Sequence, residues 1–525
     1  MIMVTRYIPL ILLVGFLISC NDSFLDVSPR DKVSDAIFWR DADDALAAAN
    51  GVYSLWNKPG DDAFNFFISF SDAWSDDGMC PWKWSYYYRW GQGNMSPADS
   101  DNNFHWRNFY TIVRRANVFL DNINRPEMDE DLRNRLIAEV KFLRAYVYHV
   151  MYYQWGEIPI VEVPLSPDEL DIPRAQSGQT AAFILEDLNA AISNLPVNQV
   201  EEGRVTQGAA LALKARILLF EENYVEAAAV AQEVMGLGYD LFQTSAGTGY
   251  RDLFMTEYEN NVEVIFNVEY KIPERGNQLP RWMTITGGSE QVVAPTKALV
   301  DAYDTYDPVL DVLTAPNPSN EFENRDPRLD YTIAHTGSVW RGQILDSSEA
   351  PLNASVSGYG VAKFRVNEIN GNNGGVDYDV NHILIRYAEI LLTYAEAKIE
   401  SGSIDQSVRD AINKVRARAY GVDFSEIEKY PEVTSNIQSE LREIVRNERR
   451  VEFAMEGRRW YDIKRWRIAH GSSGVMNGEV KGAMVDGVYK DLGSRIFEER
   501  DYLKPIPQDQ IDLTNGVLKQ NNGYN

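Results

Sequence analysis

The chain has 525 residues, with 51 basic against 77 acidic side chains for a net charge of −26, and two cysteines. That length allows two or three domains or one large elaborated one, and a hydrophobic content of 45% supplies a sizeable core and excludes wholesale disorder. So acidic a surface repels phosphate backbones, which excludes non-specific nucleic-acid binding, and two cysteines exclude a disulfide framework.

Arg6 is the only charge in the first nineteen residues, and Tyr7 to Ile18 is a twelve-residue apolar run interrupted by Pro9. At a rise of ~1.5 Å per residue the run is too short to span a ~30 Å hydrocarbon core. Residues 1–19 therefore read as a secretory signal peptide. Leu17-Ile18-Ser19-Cys20 resembles the lipobox of bacterial lipoproteins, whose cysteine is acylated and becomes the new N-terminus; the plainer alternative is an ordinary signal peptide with a chance cysteine. The lipobox reading makes the protein exported and lipid-anchored through Cys20, since several acyl chains on one residue hold where one would not. Residues 20–32 are polar, contain Pro29 and read as a stalk. Residues 33–525 are expected to form one domain, with an N-terminal half over about 33–240 and a C-terminal half over about 262–525.

Beyond the stalk, helical periodicity dominates. In 129–155 the apolar residues Leu132, Leu136, Val140, Leu143, Val147 and Val150 step by three or four, and Gly156 and Pro159 end the run. Thr206 opens a helix rich in alanine, Glu221-Glu222-Asn223 turns the chain, and 224–235 forms a second helix closed by Gly236 and Gly238. This 33-residue unit is close to the ~34-residue tetratricopeptide period. A similar pair is expected at 382–401 and 404–420, hinged at Gly402. Segments 240–300 and 315–380, rich in Gly, Asn, Pro and aromatics, read as long loops with short strands.

The five histidines lie at least 44 residues apart, so no HExxH helix exists, and no phosphate-binding or nucleophile-elbow glycine motif occurs. No metal or cofactor site is expected, although calcium held by loop carboxylates would leave no signature. Asp76-Asp77 are adjacent, and on extended backbone they point to opposite sides, so a turn or cap role is expected rather than an acid/base pair. The segment 440–467 carries nine basic and six acidic residues, with Glu448, Glu452 and Glu456 on one helix face and Glu443–Arg446 and Arg449–Glu452 at helical spacing. It reads as a salt-bridged helix.

The most informative local feature is Trp82-Lys83-Trp84-Ser85-Tyr86-Tyr87-Tyr88-Arg89-Trp90. Trp82, Trp84, Tyr86, Tyr88 and Trp90 share one parity, so an extended strand would carry five rings on one face over ~26 Å at ~3.3 Å per residue. Such a face can stack on the C–H faces of sugar rings, with Arg89, Asn94 and Trp282 as supporting contacts. The same alternation also describes a core strand packed on a helix, and both readings stay open. Arg281-Trp282 and Trp340-Arg341 are further loop candidates, for ligand contact or for anchoring.

Several separate stretches together resemble one family, the SusD/RagB outer-membrane lipoproteins of Bacteroidota. They are Cys20-Asn21-Asp22-Ser23-Phe24-Leu25-Asp26; Ala48-Ala49-Asn50-Gly51-Val52-Tyr53 with Ser75-Asp76-Asp77; and Phe142-Leu143-Arg144-Ala145-Tyr146 with Trp155-Gly156-Glu157-Ile158-Pro159. Asn324-Arg325-Asp326-Pro327-Arg328-Leu329, Arg386-Tyr387-Ala388-Glu389-Ile390-Leu391-Leu392 and Asn447-Glu448-Arg449-Arg450 follow in order. Glu456-Gly457-Arg458-Arg459-Trp460-Tyr461-Asp462, Leu503-Lys504-Pro505-Ile506-Pro507 and Gln520-Asn521-Asn522-Gly523-Tyr524 complete the series; the family usually has proline where Asn522 stands. The resemblance implies a mainly α, SusD-like fold, with tetratricopeptide-like helix pairs as scaffold plus long loops and short β-hairpins. It implies a non-catalytic protein at the outer membrane that captures a polymer and sits as a lid on a SusC-like TonB-dependent barrel transporter. The shared motifs are architectural, and ligand contacts are expected from variable loops.

The leading expectation is a surface glycan-binding subunit that stacks its ligand on Trp82, Trp84, Tyr86, Tyr88 and Trp90. A RagB-type peptide-capturing subunit would instead pair backbone along an extended ligand. A glycoside hydrolase would need two carboxyls ~5–10 Å apart across a cleft, and nothing in the sequence singles out such a pair.

Overall fold

The computed structural model describes residues 38–56, 64–285, 291–307, 312–317, 320–340, 342–364 and 378–524. The signal peptide, Cys20, the stalk and Arg341 lie outside the described residues. Helices dominate, and six two-stranded antiparallel ladders are seen among the described residues.

The central helix is Glu130–Trp155. Asp129 caps its first turn by accepting from the Leu132 amide at 3.0 Å, and Gly156, at φ 74°, ends it. The predicted stripe from Leu136 to Val150 is buried, but so are Phe142, Tyr146 and Tyr148 on other sides, because the helix packs between Ser100–Asn122 and Gln179–Asn194. Thr206 caps Gln207–Phe220, accepting from the Ala209 amide at 3.3 Å, and Tyr224–Met235 returns against it. That returning helix also packs on Tyr387–Glu400, which pairs with Gln406–Ala419, so the two predicted helix pairs are consecutive members of one stack.

Two expectations are corrected. Residues 382–386 are not helical: His382–Arg386 is a strand paired antiparallel with Val264–Val268, and the helix begins only at Tyr387. Arg386 is held extended while its guanidinium reaches Glu263 at 2.9 Å, Glu452 at 2.5 Å and Glu456 at 2.8 Å. Segment 440–467 is not one helix either. Gln438–Glu452 and Arg459–Trp466 are separated by a turn in which Met455 and Gly457 take φ of 65° and 71°. Gly457 lies against the backbone of Ile68 and Ser69, where a Cβ would collide.

Arg465 pairs with Asp462 along the second helix at 2.9 Å, but most acids and bases of that segment pair across the fold. Glu448 binds Arg328 at 2.7 Å and Arg416 at 2.8 Å; Glu452 binds Arg328, Arg386 and Arg418; Arg449 binds Asp462 at 3.0 Å. These side chains are buried, so the shared motifs form a charged keel beneath the helix stack. One apolar cluster runs from Trp39 to Tyr524 and draws on both halves of the chain. Trp340 belongs to a smaller satellite with Ile285 and Leu352, which makes it a loop anchor.

Candidate functional site

The aromatic stretch is not a strand. Trp82, Lys83, Trp84 and Ser85 form a tight turn closed by the Ser85 amide donating to the Trp82 carbonyl at 2.9 Å. Ser85 then caps the short helix Tyr86–Gly91, accepting from the Tyr87 amide at 3.2 Å. With six aromatics in nine residues, the stretch satisfies a period of two and a period of 3.6 together, and Ser85 at an N-cap position decides between them.

This turn-then-helix geometry divides the five rings. Trp90 is 2% exposed, with Trp74 edge-on at 5.2 Å and the Lys504 ammonium 3.5 Å from its ring centre. It is a core residue, which corrects its expected place on a ligand platform. Tyr87 is also buried, stacked on Trp74 at 5.8 Å. Tyr86 and Tyr88 are half-buried, Tyr86 lying 4.7 Å from Trp90 and 4.9 Å from His105. His105 is pushed well below its ordinary value by burial and by the neighbouring Lys504.

Trp84, by contrast, is 75% exposed. Its ring lies parallel to that of Trp82, with centroids 5.4 Å apart and planes 6° from parallel. Intercalating a ligand ring would require a contact of ~3.5–4.0 Å on each side, so the two indoles stack on each other and the outer face of Trp84 stays open. Trp282, from the short helix Leu279–Met283, stands edge-on to Trp82 at 6.0 Å and 85°, with the Arg281 guanidinium 5.0 Å over it. The structure thus brings together Trp82, Trp84 and Trp282, about 200 residues apart in sequence, in a triad with one open indole face.

Of the supporting polar residues, Arg89 is engaged within the fold and Asn94 is open to solvent. Arg89 donates to the Trp84 carbonyl at 2.6 Å and to Asp99 at 2.5 Å and Asp101 at 3.0 Å, so it braces the turn. Asn94 is exposed just past the helix, its amide donating to the Arg89 carbonyl at 2.9 Å. Asp76 and Asp77 lie in the expected turn, just before Gly78, and their carboxylates are taken up by arginines. Asp76 accepts two bonds from Arg459, at 2.8 and 2.9 Å, and Asp77 accepts one from Arg450 at 2.7 Å. Burial raises Asp76, but the guanidiniums of Arg450 and Arg459 outweigh it and hold the carboxyl well below its ordinary range. Burial pushes the Cys80 thiol up to about 11, which leaves it inert beneath the turn.

Lys83, which sequence reasoning passed over, is exposed in the turn, between Trp82 and Trp84 in sequence. Lys504, read as part of a terminal motif, lines the core beneath the helix. Only its spatial contacts with Trp74 and Trp90 single out Lys504. No helix among the described residues is long and apolar enough to cross a membrane.

Comparison with known proteins agrees with this architecture. Residues 262–524 match the family model described as SusD family, and residues 23–219 match one described as starch-binding associating with outer membrane. A SusD-like protein of Bacteroides ovatus is 26% identical over 513 residues, covering 91% of this chain and 86% of its own. A SusD-like protein of Bacteroides fragilis superposes with a TM-score of 0.79 at 29% identity, covering 95% of this chain and all of its own. A SusD-like carbohydrate binding protein of the same organism superposes with a TM-score of 0.80 at 27% identity, covering 91% and 99%.

Proposed function

The chain belongs to the SusD family, and from that premise we propose that it is a non-catalytic cell-surface lipoprotein that captures oligo- or polysaccharide. The captured glycan passes to a SusC-like TonB-dependent outer-membrane transporter, and the acylated Cys20 holds the protein at the outer membrane. The observation that carries this reading is the open indole face of Trp84, backed by Trp82 and Trp282 and braced by Arg89. A flat, rigid aromatic face presented to solvent suits the apolar C–H face of a sugar ring, and its order is established before the ligand arrives. A matched relative described as carbohydrate binding supports the same chemistry. Asp76 and Asp77, the carboxylates nearest in sequence before the turn, are enclosed in arginine pairs, which favours binding over hydrolysis.

The test is affinity electrophoresis of residues 21–525 through gels cast with plant, host and microbial polysaccharides, beside Trp84→Ala. Retardation by one polymer that disappears in the variant is the expected result, with no reducing ends released on incubation. Retardation unchanged by Trp84→Ala would move the site away from this turn. Absence of retardation by every glycan would favour peptide capture, for which the largely exposed strand Val488–Arg495, paired on one side with Gly478–Val485, offers a candidate edge.

A further inference from the structure

We propose that the glycan held by the Trp84 face is anionic, carrying uronate carboxylates or sulfate esters that pair with the ammonium of Lys83; this inference rests on the glycan-capture reading. Three observations carry it. The first is local charge. In a chain of net charge −26, residues 78–98 contain no acidic side chain, and their two charged residues are Lys83 and Arg89. The second is pairing. Arg89 is bonded to Asp99 and Asp101, whereas Lys83 is exposed and has no carboxylate partner among the described residues. The third is position. Lys83 is the second residue of the turn whose first and third residues are the stacked Trp82 and Trp84. Its backbone thus adjoins both tryptophans, and the flexible four-carbon stem of an exposed lysine brings its ammonium within reach of the substituents of a sugar lying on Trp84. The Arg281 guanidinium over Trp282 places a second cation on the triad.

The protein's overall negative charge does not oppose this at contact range. At physiological ionic strength charges beyond ~8 Å are largely screened, so the group that meets the ligand directly decides the sign of the interaction. A lysine kept here only for solubility would make every polar replacement equivalent. A lysine that receives a carboxylate or sulfate makes charge the variable that matters, because an ammonium acts as a compact point charge with three donors.

Isothermal titration of residues 21–525 separates these cases with matched probes: an oligogalacturonate and its methyl ester, and a sulfated galactan oligosaccharide and its desulfated form. The proposal predicts that an anionic member binds about three- to fivefold tighter than its neutral counterpart, the size an exposed ion pair supplies. Lys83→Gln should remove that preference without changing affinity for the neutral member. Lys83→Glu should invert it, and ~1 M NaCl, which shortens the screening length to ~3 Å, should abolish it. Preference for the galacturonate alone identifies a carboxylate ligand, and preference for the sulfated galactan alone identifies a sulfate; either supports the proposal. Equal binding of both members of each pair, lost in Trp84→Ala but indifferent to Lys83→Gln, would overturn the anionic assignment and leave glycan capture standing. If neither these probes nor the polysaccharide panel bind at all, capture itself falls and this inference with it.

Discussion

Arg89 Nη1 donates a 2.6 Å hydrogen bond to the backbone carbonyl of Trp84, while Nη2 of the same guanidinium reaches Asp99 and Asp101. One side chain thus ties the turn that presents the exposed indole to the start of the helix Ser100–Asn122. The aromatic platform is rigid because a charged group behind it is fixed at both ends, and the ordering cost is met in folding rather than in binding.

Removing that brace should loosen the platform without unfolding the protein. Arg89→Met is expected to weaken glycan binding about fivefold or more, corresponding to ~1–2 kcal/mol for a lost charge-assisted hydrogen bond. The thermal midpoint should move by no more than a few degrees. Titration of the variant with the polymer identified by affinity electrophoresis, alongside its melting curve, checks this. An unchanged affinity would show that Trp84 is held by its stacking on Trp82 alone.

The keel beneath the helices should control acid stability. Glu452 is buried among Arg328, Arg386 and Arg418, and although burial raises its proton affinity, these three guanidiniums hold it well below its ordinary range. Glu389 is likewise drawn down to about 2, burial being outweighed by Arg216 and Arg458. Depressed folded values mean that the unfolded chain binds more protons in acid, so this stabilisation is complete above pH ~5 and is lost as pH falls toward 2. Glu452→Gln leaves buried cations under-compensated and should cost ~3–5 kcal/mol at pH 7. Urea unfolding at pH 7 and pH 3.5 measures both effects, and the gap between wild type and variant should narrow at the lower pH.

Asp72 has the opposite sign. It is fully enclosed, its Oδ2 accepts from the Gly457 amide at 2.8 Å, and burial lifts its carboxyl to about 8. Between its ordinary value of 3.8 and 8 the native state holds the proton more tightly than the unfolded chain, so stability falls as pH rises through that window. Asp72→Asn keeps an acceptor for Gly457 and removes the titration. Its stability should depend less steeply on pH between 5 and 9 and exceed wild type by ~1–3 kcal/mol at the alkaline end. A variant that loses stability equally at every pH would place the importance of Asp72 in shape rather than charge.

Lys504 Nζ lies 3.9 Å from the ring centre of Trp74 and 3.5 Å from that of Trp90, fully buried and with no hydrogen-bond partner of its own among the described residues. Burial, reinforced by Lys464, pushes its amine well below 10.5. At neutral pH the unfolded chain therefore binds a proton that the native state resists, and this contribution to stability improves as pH rises toward 10.5. Attraction to aromatic faces returns ~0.5–2 kcal/mol, against a desolvation cost of several kcal/mol for a buried ion. Lys504→Met should accordingly raise stability at pH 7 by ~1–3 kcal/mol and give less advantage at pH 10. Denaturation followed by the fluorescence of the adjoining tryptophans reads this out, and a destabilised variant would show that the aromatic cage outweighs burial.

What the sequence determined by itself was the scaffold. Asp129 and Gly156 bound the central helix, Thr206 caps the first helix pair, and the arginine- and glutamate-rich motifs mark the family, because caps, periodicity and short motifs are local signals. Locality also set the limit. Residues 382–386 have a helical pattern in isolation, yet Arg386 becomes extended to reach Glu263 and Glu452, which lie 123 and 66 residues away. In the aromatic stretch every second ring shares a face and every third or fourth ring shares another, so periodicity could not choose between strand and helix. Burial was not written there either. Trp90 is closed over by Lys504 from the far end of the chain, and Trp82 is backed by Trp282, while Trp84, two residues from Trp82, meets no such cover and faces solvent. Which ring becomes core and which becomes platform depends on neighbours hundreds of residues distant, and only tertiary packing brings those neighbours into place.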